Sequence, residues 1–109
     1  MMIQTKSGVW LGEINNYFML FIEALEEVGN RWGFIPFITS GCDGKHMEGS
    51  KHYKHQAWDL RIWNMKDPHA VAENLLHVLN RDEYKWIVLY GDEHHKDHMH
   101  IQTDGEWRA

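Results

Sequence analysis

The chain is poor in cysteine, in proline and in positive charge, and it carries no long apolar run. Cys42 is the only cysteine among 109 residues, which excludes an intramolecular disulfide and leaves packing, or a metal ion, to hold the fold. Lysine and arginine number 11 against 16 acidic residues, for a formal charge of −5. That balance, with no basic stripe, argues against nucleic acid or an anionic membrane as a partner. No segment reaches the roughly 18 to 20 apolar residues of a membrane span. The opening MMIQTKSGVW lacks a basic region followed by an apolar stretch, so no signal peptide is expected. The expectation is synthesis in the cytoplasm, with another factor giving access to any substrate outside the membrane. There is no internal repeat and no low-complexity linker.

What the chain does have is aromatics and histidine. Six tryptophans, four phenylalanines and four tyrosines suffice for a packed core, and the length predicts one domain over 1–109, a monomer, without room for a separate substrate domain. From Gly12 to about Trp32 the residues Ile14, Phe18, Phe21, Ile22, Leu25, Val28 and Trp32 recur at spacings of three and four, the period of an amphipathic helix. FIPFITSG is a short strand run punctuated by Pro36. A loop follows from about Gly41 to Lys54. QAWDLRIW, from Gln56 to Trp63, alternates as a strand with Ala57, Asp59, Arg61 and Trp63 on one face and Trp58, Leu60 and Ile62 on the other. Asp67 before Pro68 predicts a helix start, and Val71, Leu75, Leu76 and Leu79 continue that helix toward Arg81. YKWIVLY and HMHIQT complete the strands. The order predicts an α+β fold with a small, mostly antiparallel sheet and two main helices. Trp58, Trp63 and Trp86 are expected in the core, and His69 and His77 on the surface of the second helix.

Residues 91 to 102 read GDEHHKDHMHIQ, with His94, His95, His98 and His100 among acidic neighbours. Taken alone, such a stretch is expected to be a solvated loop. In a strand, however, His98 and His100 point to the same face. Two imidazoles on one face begin a zinc site, which usually takes at least three protein ligands. The segment SKHYKHQAWD offers the others, His52 and, seven positions later, Asp59 on the charged strand face. A carboxylate between Trp58 and Leu60 is costly to bury without a positive partner, and a metal ion is one way to supply it. Cys42 with His46 is a weaker candidate for a second metal site.

The pair SKHYKHQAWD and DHMH resembles the zinc-site signature of the LAS, or M15-type, peptidases. That group includes D-alanyl-D-alanine carboxypeptidases, dipeptidases and phage endolysin peptidases, and the hedgehog signalling domain shares its architecture. Ser50, His52, Ala57 and Asp59 match its S-x-H-x-x-G-x-A-x-D pattern, and His98 and His100 its later H-x-H. The resemblance implies a hedgehog/DD-peptidase-like fold and one zinc ion held by His52, Asp59 and His100, with water in the fourth position. It implies hydrolysis of bacterial cell-wall (peptidoglycan) peptides by that water, as a D-alanyl-D-alanine carboxypeptidase or a peptidoglycan endopeptidase, with a carboxylate acting as general base. Asp97, three before His100, is the first candidate base and Glu93 the second, with His98 stabilising the oxyanion or the metal shell. Ser50, Tyr53 and Arg61 are the candidate substrate contacts. The small size and the expected lack of a signal peptide and of a wall-binding domain suit a phage or prophage lytic enzyme, or a compact cytoplasmic peptidase.

Two positions depart from the pattern. His55 stands where the family usually has glycine, and TSGCDGKH lacks the arginine of the family's S-G-Y-R-S stretch. Lys45 or Arg61 is the available substitute, Arg61 sharing the strand face of Asp59. The missing arginine motivates the alternative of a catalytically inactive, zinc-stabilised binding module of the same fold.

Overall fold

The computed structural model describes residues 2–41, 56–81 and 84–107, with side-chain surroundings through residue 104. The first helix, α1 (Asn16–Trp32), begins where Asn15 Oδ1 accepts the Phe18 N–H at 2.9 Å. It ends at Gly33, whose φ of +70° lets its N–H turn back to the Gly29 carbonyl. This start corrects the boundary expected at Gly12. Ile14 precedes the cap and is 80% exposed, so it is not part of the buried stripe of Phe21, Ala24, Leu25 and Val28. An acceptor side chain at the cap decided the boundary over hydrophobic spacing.

The second helix, α2 (Pro68–Leu79), starts as its sequence predicts. Asp67 Oδ1 accepts the Ala70 N–H at 3.2 Å, and Pro68 occupies the first turn, where no N–H is needed. It buries Val71, Leu75, Val78 and Leu79. Beyond it, Asn80 Oδ1 takes the Trp86 N–H at 3.1 Å, tying the end of the helix to the next strand. His69 and His77 are exposed, as expected.

Five strands form one sheet. They are β1 (Gln4–Thr5), β2 (Phe37–Ser40), β3 (Ala57–Arg61), β4 (Tyr84–Leu89) and β5 (His98–Trp107), in the spatial order β1-β2-β3-β5-β4. Every pairing is antiparallel except the short parallel one between β1 and β2. The expected α+β class with two helices and a mostly antiparallel sheet is what the chain adopts. β1 adds a strand that the sequence pattern does not announce: two residues carry no readable period. Gln4 N–H reaches the Pro36 carbonyl at 2.9 Å, so the proline's acceptor serves the sheet just before β2 begins.

The helices cover one face of this sheet. Trp58, Leu60, Met99 and Ile101, alternate residues of β3 and β5, are fully buried against them. Phe21 stacks on Trp58 with ring centroids 4.6 Å apart, and the Trp58 indole N–H donates to the Leu11 carbonyl at 2.9 Å. Trp58 and Trp86 are core residues, as expected, but Trp63 is not. β3 ends at Arg61, two residues earlier than its alternation suggested, and Trp63 lies in the following turn, 78% exposed. Among the described residues no helix is long and apolar enough to cross a membrane.

Candidate functional site

Because β3 and β5 bury one alternate set of side chains beneath the helices, the other set must face away from them. Register then aligns this outer set in rows. Ala57 is opposite Gln102, Asp59 opposite His100, and Arg61 opposite His98. Residues some forty positions apart in sequence meet here.

In the middle row, His100 Nδ1 lies 2.8 Å from Asp59 Oδ1, and both side chains are nearly buried, at 11% and 13% exposure. His100 Nε2 lies 2.8 Å from Gln102 Oε1. Burial works against a charged imidazole. The hydrogen bonds that His100 makes to Asp59 and to Gln102, with the charge of Asp59, together outweigh it, and the His100 pKa is raised above its usual value. Thr39 Oγ1, from β2, donates to the Asp59 carbonyl at 3.4 Å, tying the neighbouring strand to this row.

The outer row opens into a cleft of about 350 Å³ lined by Lys6, Thr39, Asp59, Arg61, Trp63, Asp97 and His98. At its rim, His98 Nδ1 lies 2.8 Å from the exposed Asp97 carboxylate, and that hydrogen bond lowers the Asp97 pKa. Arg61 packs against two aromatic rings, its guanidinium carbon 3.7 Å from the Phe37 ring centroid and 4.2 Å from that of Trp63. Glu93, the second candidate base, is exposed and does not line the cleft.

His95 departs from the reading of its stretch as a solvated loop. Its side chain is only 20% exposed, and Nδ1 sits 2.7 and 2.9 Å from the two Asp92 oxygens. Its ring centroid is 5.4 Å from that of His98 and 5.6 Å from that of His100. The loop is closed by the Gly91 N–H to the His95 carbonyl at 2.7 Å and by the His94 N–H to Asp92 Oδ1 at 2.9 Å. The hydrogen bond from His95 lowers the pKa of Asp92. His94 and Lys96 are exposed, as a solvated loop requires.

Comparison with family models, curated proteins and solved structures gave no match. The site is therefore read from its own chemistry.

Asp59 and His100 are the donor types zinc takes, placed on rigid neighbouring strands. Two ligands of one tetrahedral zinc stand about 3.3 Å apart, so a 2.8 Å pair needs only small side-chain rotations to share an ion. A metal-bound imidazole characteristically donates its second N–H to a fixed acceptor, and Gln102 Oε1 occupies that place on His100. These two donors fit zinc. Among the described residues no three histidine, cysteine or acidic side chains are grouped to hold an ion. His52, the third expected ligand, lies outside the described residues, as do Ser50, Tyr53, Lys45, His55, Cys42 and His46.

Sequence reasoning missed four contributors. Gln102 shares the alternation of His98 and His100, so strand period alone could have found it. Lys6, Thr39 and Phe37 reach the site only through tertiary pairing, and no sequence signal marks them.

Proposed function

We propose that the chain is a zinc-dependent metallopeptidase that hydrolyses peptide bonds of bacterial cell-wall peptides. The observation that carries this reading is the nearly buried Asp59–His100 pair with Gln102 behind it, at the positions that the LAS-type pattern assigns to two of three ligands. His52 completes the proposed ligand set.

Zinc at this site would supply a water acidified to a pKa of about 7 and a positive charge beside the scissile carbonyl. The residues of the chain do the rest. Gln102 fixes the His100 ring so that Nδ1 faces Asp59. Asp97 is ionised at neutral pH, its pKa lowered by His98, and stands at the cleft as the proton acceptor. Its bond to His98 Nδ1 couples the two groups, so a proton taken from water can pass to the departing amine as the carbon–nitrogen bond breaks. His98, in the row next to His100, also presents an imidazole toward developing negative charge.

The test joins metal stoichiometry to hydrolysis. Equilibrium dialysis should give one zinc per chain, lost in His52→Ala and His100→Ala, and incubation with peptidoglycan stem peptides should release new amino termini. Failure to bind zinc would overturn the reading. Stoichiometric zinc without hydrolysis would instead place the chain with the inactive, zinc-stabilised binding module.

A further inference from the structure

Trp63 has no part in the chemistry just described, yet it stands 78% exposed at the cleft. Single exposed apolar residues are common on protein surfaces and need no explanation by themselves. Ile14, exposed to 80%, is one of these and lines no cleft. Trp63 differs because its position is fixed. The turn that carries it is closed by the Met65 N–H to the Ile62 carbonyl at 3.0 Å, and the Asn64 side-chain amide donates to the Ile35 carbonyl at 2.6 Å. The Arg61 guanidinium lies over the indole, 4.2 Å from its centroid, and so occupies one face of the ring. Among the described residues no ring or cation covers the other face.

The rest of the described lining is polar. Lys6, Thr39 and Arg61 bring donors, Asp59 and Asp97 bring acceptors, and His98 can do either, so the indole is the one apolar wall. That combination selects an occupant. An aliphatic or aromatic side chain would match the indole but strip water from the charged groups without replacing its hydrogen bonds. A pyranose ring is amphipathic in the way the cleft requires. Its C–H bonds gather on a face that the negative face of an aromatic ring attracts, and its hydroxyl and acetamido groups project around the rim. A cleft of about 350 Å³ lies at the small end of ligand sites, with room for one such ring. Because the indole is already held, little rotamer freedom is lost on binding.

We propose that the open face of Trp63 is a carbohydrate platform that stacks an N-acetylhexosamine ring, with Lys6 hydrogen-bonding to its rim. The assignment of that ring rests on the peptidase reading. It is the amino sugar from which a wall peptide hangs, and the preferred substrate is a sugar-linked peptide and not a released one. Trp63 follows Asp59 by four residues, so their backbones are at most about 14 Å apart. A stem of three or four extended residues bridges that interval.

The test uses metal-free protein and three probes: N-acetylmuramyl tripeptide, the same tripeptide N-acetylated without the sugar, and chitotriose, a hexosamine chain without peptide. Binding is followed by NMR at the Trp63 indole N–H, identified by its loss in Trp63→Ala. The muramyl peptide should bind about 10-fold more tightly than the free peptide and move this signal, and chitotriose should move it at higher concentration. Trp63→Ala should erase the preference, Trp63→Phe should keep part of it, and Lys6→Met should reduce it. Thermal unfolding should find the Trp63 variants close to the parent, because the side chain is largely in water.

Equal affinity for the two peptides overturns the platform, as does a preference that survives in Trp63→Ala or an indole signal that neither sugar moves. Chitotriose binding as tightly as the muramyl peptide overturns the assignment to a sugar-linked peptide. The two readings fail separately. Cleavage of muramyl and free peptides with equal efficiency by the zinc-loaded protein would leave the peptidase standing and remove the platform, whereas sugar-selective binding without cleavage would do the reverse.

Discussion

Asp59 and His100 face each other across β3 and β5, Oδ1 to Nδ1 at 2.8 Å, at positions that are also register partners in the backbone ladder. The register that forms this pair is enforced by the opposite face, where Trp58, Leu60, Met99 and Ile101 have no exposed surface. A slip of one residue would drive the polar row into the core. Packing beneath the helices therefore sets the geometry of the site above them.

Removing the carboxylate leaves a nearly buried imidazole N–H without its charged acceptor. Asp59→Ala should destabilise the metal-free protein by about 1.5 to 3 kcal/mol, and Asp59→Asn by less, because an amide oxygen can still accept. Urea unfolding in the presence of chelator measures both.

The pair also makes metal-free stability depend on pH. The folded pKa of His100 lies above its usual value of 6.5, so the folded state binds the proton more tightly than the unfolded chain. The contribution is fully present below about pH 6.5 and is lost as pH rises through the folded pKa. Unfolding free energy measured in chelator should fall across that window, and the fall should flatten in Asp59→Asn. Zinc affinity should rise over the same window, because an ion on Nδ1 competes with the proton. Calorimetry in buffers of different ionisation enthalpy would register the proton released.

Gln102 gives a separate handle on the metal. With its oxygen 2.8 Å from His100 Nε2, it holds the ring without being a ligand. Gln102→Ala should lower zinc affinity about 10- to 100-fold while the circular dichroism spectrum is unchanged, and Gln102→Glu should restore much of the loss. A competitive chelator titration reads the difference.

The loop carrying His95 depends on Gly91. Its φ is +91°, and an added Cβ would come within 2.8 Å of His69 Cε1. Gly91→Ala should cost about 1 to 3 kcal/mol through backbone strain and that clash. Adding His69→Ala should recover only part of it, since truncating the imidazole removes the clash and leaves the strain. Thermal unfolding of the three variants separates the two contributions.

What the sequence made legible follows from how local each signal is. The Asp67 and Pro68 start of α2 depends on a few consecutive residues, and it forms as read. The placement of Asp59 with His100 needed only strand alternation in two segments, because burial of Trp58 and Leu60 leaves Asp59 one side to face. The α1 boundary was misplaced because Ile14 fits the helical period although Asn15 caps the helix after it. Alternation alone places Trp63 in the core, because an alternation cannot announce its own end. Strand face alone makes Arg61 a candidate, but its two ring contacts are not legible, since Phe37 comes from another strand and Trp63 from the turn. Lys6 and Thr39 reach the cleft only through the order β1-β2-β3, which no local pattern encodes.

The most direct measurement is the release of amino groups from purified peptidoglycan stem peptides by the zinc-loaded protein, before and after chelation and after zinc is returned. The account predicts hydrolysis that disappears with chelator, returns with zinc and is absent in His100→Ala. No hydrolysis by protein carrying one zinc per chain, or hydrolysis indifferent to chelator, would contradict it.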